Sequence, residues 1–184
     1  MEKRRVKVIK SRAGGTAEGV AVSYKLSLPT LWVKAMGLDD EPECEISFEG
    51  DKIVIKKILS VKDFANAAYL KGNNVKIIKY YVSDNLSAIL AVDYTEKDLA
   101  IENLISDPIN LPFGRKKSPT WEDYCNFLAE RCISSDRFGI REYLETIGVE
   151  KYDPFEIIKI TQGRMAEDDI HLTVEDYEEN CFGN

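Results

Sequence analysis

The chain has one histidine, His171, and four cysteines, Cys44, Cys125, Cys132 and Cys181, with no Cys-x-x-Cys pair among them. That scatter offers zinc no ligand set, and it reads as reduced thiols rather than a disulfide frame. Cys125 and Cys132 stand seven residues apart, a spacing that places both on one helix face as small buried hydrophobes. No run of 18 apolar residues occurs, and no basic segment leads into an apolar one at the start. Neither a membrane span nor a secretion signal is therefore expected, and the cytoplasm is the expected compartment. The run Ala13-Gly-Gly-Thr-Ala-Glu-Gly19 lacks both the Gly-Lys-Ser/Thr ending of a P-loop and the glycine spacing of a dinucleotide turn. It reads as a hairpin loop, and no cofactor is expected.

What is present is an ordinary globular composition, 184 residues with 44% hydrophobic and 31% charged side chains, enough for one domain or two small ones. The net charge of −7 conceals a polarity. Residues 1–34 hold eight basic side chains (Lys3, Arg4, Arg5, Lys7, Lys10, Arg12, Lys25, Lys34) against two acidic ones, a balance of +6. Residues 145–184 hold three basic against eleven acidic, a balance of −8. A basic head on an acidic body can hold phosphate locally, because such contacts are short-ranged at physiological salt. The asymmetry points to two partners, double-stranded DNA for the head and a protein for the acidic half.

The stretch from Tyr24 to Lys57 is the most legible part of the chain. Tyr24, Leu26 and Leu28 alternate with polar residues as in a strand, preceded by a first strand over Val6-Lys-Val-Ile9. Pro29 ends the pairing and starts a short helix over Thr30 to Met36, with Gly37 as its left-handed cap. Cys44, Ile46 and Phe48 resume the alternation, Glu49-Gly-Asp-Lys52 turns, and Ile53 and Ile55 answer on the returning strand.

The run Leu26-Ser-Leu-Pro29, the helix ending Ala35-Met-Gly-Leu38 and the segment Glu45-Ile-Ser-Phe-Glu-Gly-Asp-Lys-Ile-Val-Ile-Lys-Lys57 resemble the AbrB/MazE/SpoVT family over about residues 4–58. That family comprises swapped-hairpin DNA-binding modules of bacterial transition-state regulators and antitoxins. The resemblance implies an obligate homodimer in which each chain lends hairpins to one shared β-barrel, since about 50 residues bury too little apolar surface alone. The segment Ser11 to Ser23 is longer than the tight loop of the common pattern.

After Ile58 the pattern changes. Ser60 to Leu70 reads as an amphipathic helix capped by Ser60, within a helical linker spanning 59–74. Val75 to Val82 and Ala88 to Tyr94 read as paired strands, with a turn and a third strand between Thr95 and Ser106. Asp107-Pro-Ile-Asn-Leu-Pro-Phe-Gly114 is a rigid connection. Three helices follow. The first opens at Ser118-Pro-Thr-Trp-Glu with Trp121, Tyr124, Cys125, Leu128 and Cys132 as its stripe. The second carries Ile140, Tyr143, Leu144 and Ile147 before Gly148, and the third starts at Pro154 with Phe155, Ile158 and Ile160. Glu167-Asp-Asp169 and Glu175-Asp-Tyr-Glu-Glu179 read as an acidic, partly disordered end. The expected class is thus α+β. A dimeric swapped-hairpin barrel over 1–58 precedes an acidic partner-binding domain over 75–184, built from a small sheet with a three-helix cluster.

The order Leu111-Pro-Phe-Gly114, Trp121, Arg131, Arg137-Phe-Gly139, Leu144 and Met165-Ala-Glu-Asp-Asp-Ile170 looks like leader segments found next to HipA-type toxin kinases, over about residues 86–172. It carries no catalytic residues and implies an interaction module from mobile-element or toxin–antitoxin settings.

Enzyme chemistry is poorly supplied. Asp93, Asp98, Glu102, Glu167, Asp168 and Asp169 are the carboxylates from which a metal-dependent nuclease site would be drawn, but the adjacent pair Asp168-Asp169 diverges in any helix or strand. His171 has no second histidine or nucleophile motif, and Ser27 and Ser118 have no triad context. The chain reads as a non-enzyme without a metal site. It is expected to bind DNA as a transcription regulator or antitoxin through Arg4, Arg5, Lys7, Lys10, Arg12, Lys25 and Lys34. The protein partner is expected to meet Glu167, Asp168, Asp169, Glu175 and Asp176. The alternative is a phage or mobile-element inhibitor of anti-CRISPR type, whose acidic end occupies the basic channel of Cas9.

Overall fold

Alternating apolar strands with a short helix between them characterise the first 58 residues, and helical periodicity dominates after residue 118. A computed structural model shows two compact units, Met1–Ile58 and Leu59–Asn184. It describes residues 3–12, 22–40 and 42–178. The glycine-rich loop 13–21 and the acidic residues beyond Glu178 lie outside these.

In the first unit β1 (Ile9–Arg12) pairs antiparallel with β2 (Val22–Lys25), Ile9 opposite Lys25 and Arg12 opposite Val22. The strands expected at Val6–Ile9 and Tyr24–Leu28 are therefore displaced. The same register would set Val8 against Leu26, where the chain is already turning into Pro29, whose ring offers no N–H to a ladder. Helix α1 (Thr30–Ala35) begins directly after Pro29, and Gly37 takes φ +68° beyond its end. The hairpin of β3 (Cys44–Glu49) and β4 (Lys52–Lys57) matches the alternation, with Gly50 at φ +71° in the turn. Each hairpin is a separate two-stranded sheet, and no closed barrel forms within the described residues of one chain.

The second unit is a four-stranded antiparallel sheet in the order β7-β6-β5-β8. Its strands are β5 (Val75–Val82), β6 (Asn85–Asp93), β7 (Asp98–Asn103) and β8 (Ile170–Asp176). Helix α2 (Val61–Tyr69) covers one face, packing Val61, Ala65 and Ala68 on Val75, Ile77, Ala91 and Tyr177. Its Ser60 cap accepts from the Asp63 amide at 3.1 Å. Residues 59–74, expected as a linker, thus belong to the second unit. The apolar stripe of the helix needs the sheet to bury it.

The other face carries α3 (Trp121–Glu130), α4 (Ile140–Ile147) and α5 (Pro154–Thr161). Tyr124, Phe127, Leu128, Leu144, Ile157 and Ile158 pack on Ile78, Tyr80, Leu90, Val92 and Leu172. Two apolar assignments shift. Helix α3 ends at Glu130, so the seven-residue spacing fails: Cys132 is buried but Cys125 is exposed. In α5 the buried pair is Ile157 and Ile158, while Ile160 is 52% exposed. The largest departure is β8 itself. Ile170, Leu172 and Val174 alternate toward the helices and make an edge strand of what the acidic composition marks as a disordered end.

Candidate nucleic-acid interface and partner surface

The basic set of the first unit lies in the open. Arg4, Arg5 and Lys7 are exposed in the segment before β1, which has no regular structure. Lys10 lies in β1 opposite Tyr24, and Lys25 in β2 opposite Ile9. Neighbouring rungs of a ladder face opposite ways, so Lys10 and Lys25 project on different faces of this hairpin rather than as one stripe. On the Lys25 face, the hydroxyls of Ser11 and Ser23 meet at 2.7 Å. Lys34 is exposed in the last turn of α1. Arg12 is placed by its backbone only, opposite Val22.

The apolar residues of this unit are also in the open, and this is its most informative feature. Among its described residues none is buried. In the second hairpin Phe48 faces Ile53 and Ile46 faces Ile55 across the ladder, forming one apolar ribbon. Phe48 is 74% exposed, Ile46 66% and Ile53 65%. The opposite face pairs Glu45 with Lys56 and Glu49 with Lys52, the latter at 2.8 Å, which holds the Glu49 carboxyl below its ordinary range. A ribbon this apolar on one side and charged on the other is built to be covered on one side.

The acidic residues of the second unit are less available than their number suggests. Asp168 takes a bidentate grip from Arg131, at 2.6 Å to Nη1 and 3.0 Å to Nη2. The same guanidinium donates to the carbonyls of Gly163 and Ile170. Hydrogen bonding from Arg131, opposed by desolvation, holds the Asp168 carboxyl below its ordinary value. Glu175 pairs with Lys79 at 3.0 Å, and Asp176 with Lys76. Of the five expected partner-facing acids, Glu167 and Asp169 remain exposed outside such pairs. Lys76, Lys79 and Arg131 neutralise the others, and the sequence does not match them with these acids because they lie about 100 or about 40 positions away.

Asp168, Asp169 and His171 share an open cleft of about 380 Å³ with Ser83, Asp84, Arg164 and Met165. His171 stacks on Tyr81 with ring centres 4.7 Å apart. Burial, reinforced by Arg164 and opposed by Asp84, lowers the imidazole pKa. The carboxylates proposed for a nuclease are spread differently. Asp93 is buried and accepts from Asn73 at 2.6 Å and from the amides of Thr95 and Glu96, so it holds a turn, while Asp98 caps the Leu99 amide. Among the described residues no group of three or more His, Cys, Asp or Glu side chains is placed to hold a metal ion. No helix among them is long and apolar enough to cross a membrane. Compared with known proteins, the chain matches no family model, no curated protein and no solved structure.

Proposed function

We propose that this chain is a dimeric DNA-binding regulator of antitoxin or autoregulator type, with a second unit that binds a protein. The observation that carries the reading is the first unit's apolar ribbon, Ile46, Phe48 and Ile53, left uncovered beside an exposed basic set. Burying such side chains contributes about 1.5–3 kcal/mol each, and a second copy offers the same ribbon in self-complementary form. A barrel of hairpins from two chains would cover both ribbons and present Arg4, Arg5, Lys7 and Lys10 twice. Arginine and lysine on such an edge position a duplex by its phosphates, and an arginine fork reads guanine in the major groove.

The experiment is a gel shift of the full chain on its own upstream DNA. Retention at low salt that weakens steeply as salt rises is the expected result, because each phosphate neutralised contributes about −0.9 to the logarithmic salt slope. Alanine at both Arg5 and Arg12 should flatten that slope. No retention at low salt sinks the reading.

The alternative, an inhibitor that blocks a nucleic-acid-handling nuclease such as Cas9, draws on the second unit's charge. Its 14 basic and 23 acidic residues leave a balance of −9. It predicts co-purification with a basic nuclease that is indifferent to Arg5 and Arg12 and lost on neutralising Glu167 and Asp169.

A further inference from the structure

The sheet of the second unit has two edges, and they are not equivalent. Along β8, residues 169, 171, 173 and 175 turn their backbone groups toward β5, as the bond from the Ser83 amide to the Asp169 carbonyl shows. Its outward groups are those of Ile170, Leu172 and Val174; the first are already taken, while the N–H and C=O of Val174 have no partner among the described residues. The Leu172 amide donates to the Gln162 carbonyl at 2.8 Å, and the Ile170 carbonyl accepts from Arg131. The acids near its far end are paired with Lys76 and Lys79. This edge is thus half blunted, its first outward groups bonded and its acids neutralised.

The β7 edge is different. The Leu104 amide donates to Ser87 across the sheet, so residues 99, 101 and 103 turn outward. The Leu99 amide is capped by Asp98, but the N–H and C=O of Ile101 and the N–H of Asn103 have no partner among the described residues. The strand carries Asp98 and exposed Glu102 and no basic residue. Close by in sequence, Leu104 is 45% and Ile109 86% exposed.

We infer that the β7 edge, Asp98 to Asn103, is the docking site for an extended, lysine- or arginine-bearing segment of a partner protein, which adds to the sheet as a fifth strand. Main-chain bonds to Ile101 and Asn103 supply the attachment. Exposed Glu102 selects basic over acidic strands and disfavours a second copy, whose own β7 brings the same carboxylate. The inference rests on the reading of the second unit as the partner-binding part and is independent of DNA binding.

The test uses the full chain and a labelled, alternating lysine–valine peptide, with a glutamate–valine peptide as control. Anisotropy reads affinity, and amide hydrogen exchange reads the site. The basic peptide should bind and protect the amides of Ile101 and Asn103. Asn103→Pro removes only an outward N–H, which edge strands tolerate, and Glu102→Lys changes only a charge. Each should weaken binding by about tenfold or more, the loss of one charge-assisted or main-chain contact. Neither should alter retention of DNA. Protection at Val174 instead would overturn the edge assignment while leaving the partner reading intact. No protection anywhere in the second unit would overturn both. Equal binding of the acidic peptide, or protection of Ile101 by raising the protein concentration alone, would overturn the partner chemistry.

Discussion

At the scale of single residues, Arg131 is the most committed side chain in the molecule. It is 9% exposed, and its guanidinium ties the end of α3 to the Gly163 carbonyl, to Asp168 and to the start of β8. Asp168 is exposed, but the Gly163 carbonyl that Arg131 serves is buried and would lose its donor. Arg131→Ala should therefore cost about 1–3 kcal/mol in urea unfolding of the second unit. Asp168 adds a pH signature. Its folded pKa lies below the unfolded 3.8, so its contribution is fully present above pH 3.8 and is lost as pH falls through the lower folded value. That acid limb should vanish in Arg131→Ala. His171 acts the same way in a higher window. Its folded pKa is depressed below 6.5, so stability is full above pH 6.5 and falls as the ring is forced to protonate. Titration of its ring protons by NMR should give a midpoint below 6.5, and His171→Phe should remove that part of the pH dependence. Gly163 sits at φ +59° with Leu172 Cδ1 3.2 Å from where a Cβ would stand. Gly163→Ala should cost about 1–2 kcal/mol, from the left-handed backbone before any repacking.

At the scale of elements, local signals were legible wherever one residue decides the geometry. Pro29 and Pro154 start α1 and α5, Ser60 caps α2, and Gly50 turns the second hairpin. Equally local, though not singled out in the sequence, is the Thr120–Asp123 capping box at α3, with the Asp123 carboxyl lowered to about 2 by Lys116 and Thr120. Thr120→Ala should lower stability by about 1 kcal/mol. What local sequence does not carry is the partner of an element. Strand β8 has the alternation Ile170, Leu172, Val174, yet its charges argue for solvent until the lysines of β5 are set beside them. The same reason hid the fate of the acidic partner residues. Their number was plain in the sequence, but three of five are answered from distant segments. The exposed ribbon of β3 and β4 is the converse case, because the alternation was right and its cover is not in the described chain. On the proposed pairing of two ribbons, Phe48→Glu should leave the second unit folded and give a monomer in sedimentation where the unchanged chain gives a dimer.

At the scale of the whole molecule, the two units divide the charge as well as the fold, 11 basic against 9 acidic residues in 1–58 and 14 against 23 in 59–184. On the proposed reading, salt should therefore affect the two units unequally: retention of DNA should fall steeply with ionic strength, while unfolding of the second unit should change little. The strand order has a consequence in time. Strands β5, β6 and β7 are neighbours in sequence and can form a meander at once, but β8 joins β5 across separations of 88 (Val82 to Ile170) to 100 residues (Lys76 to Asp176). During synthesis, the run Val75-Lys-Ile-Ile-Lys-Tyr-Tyr-Val82 therefore leaves the ribosome as an uncovered apolar edge. At roughly 5–20 residues per second it waits several seconds or longer for its mate, the interval in which misassembly is most favoured. The acidic strand that looked like a tail is then the closing piece of the sheet.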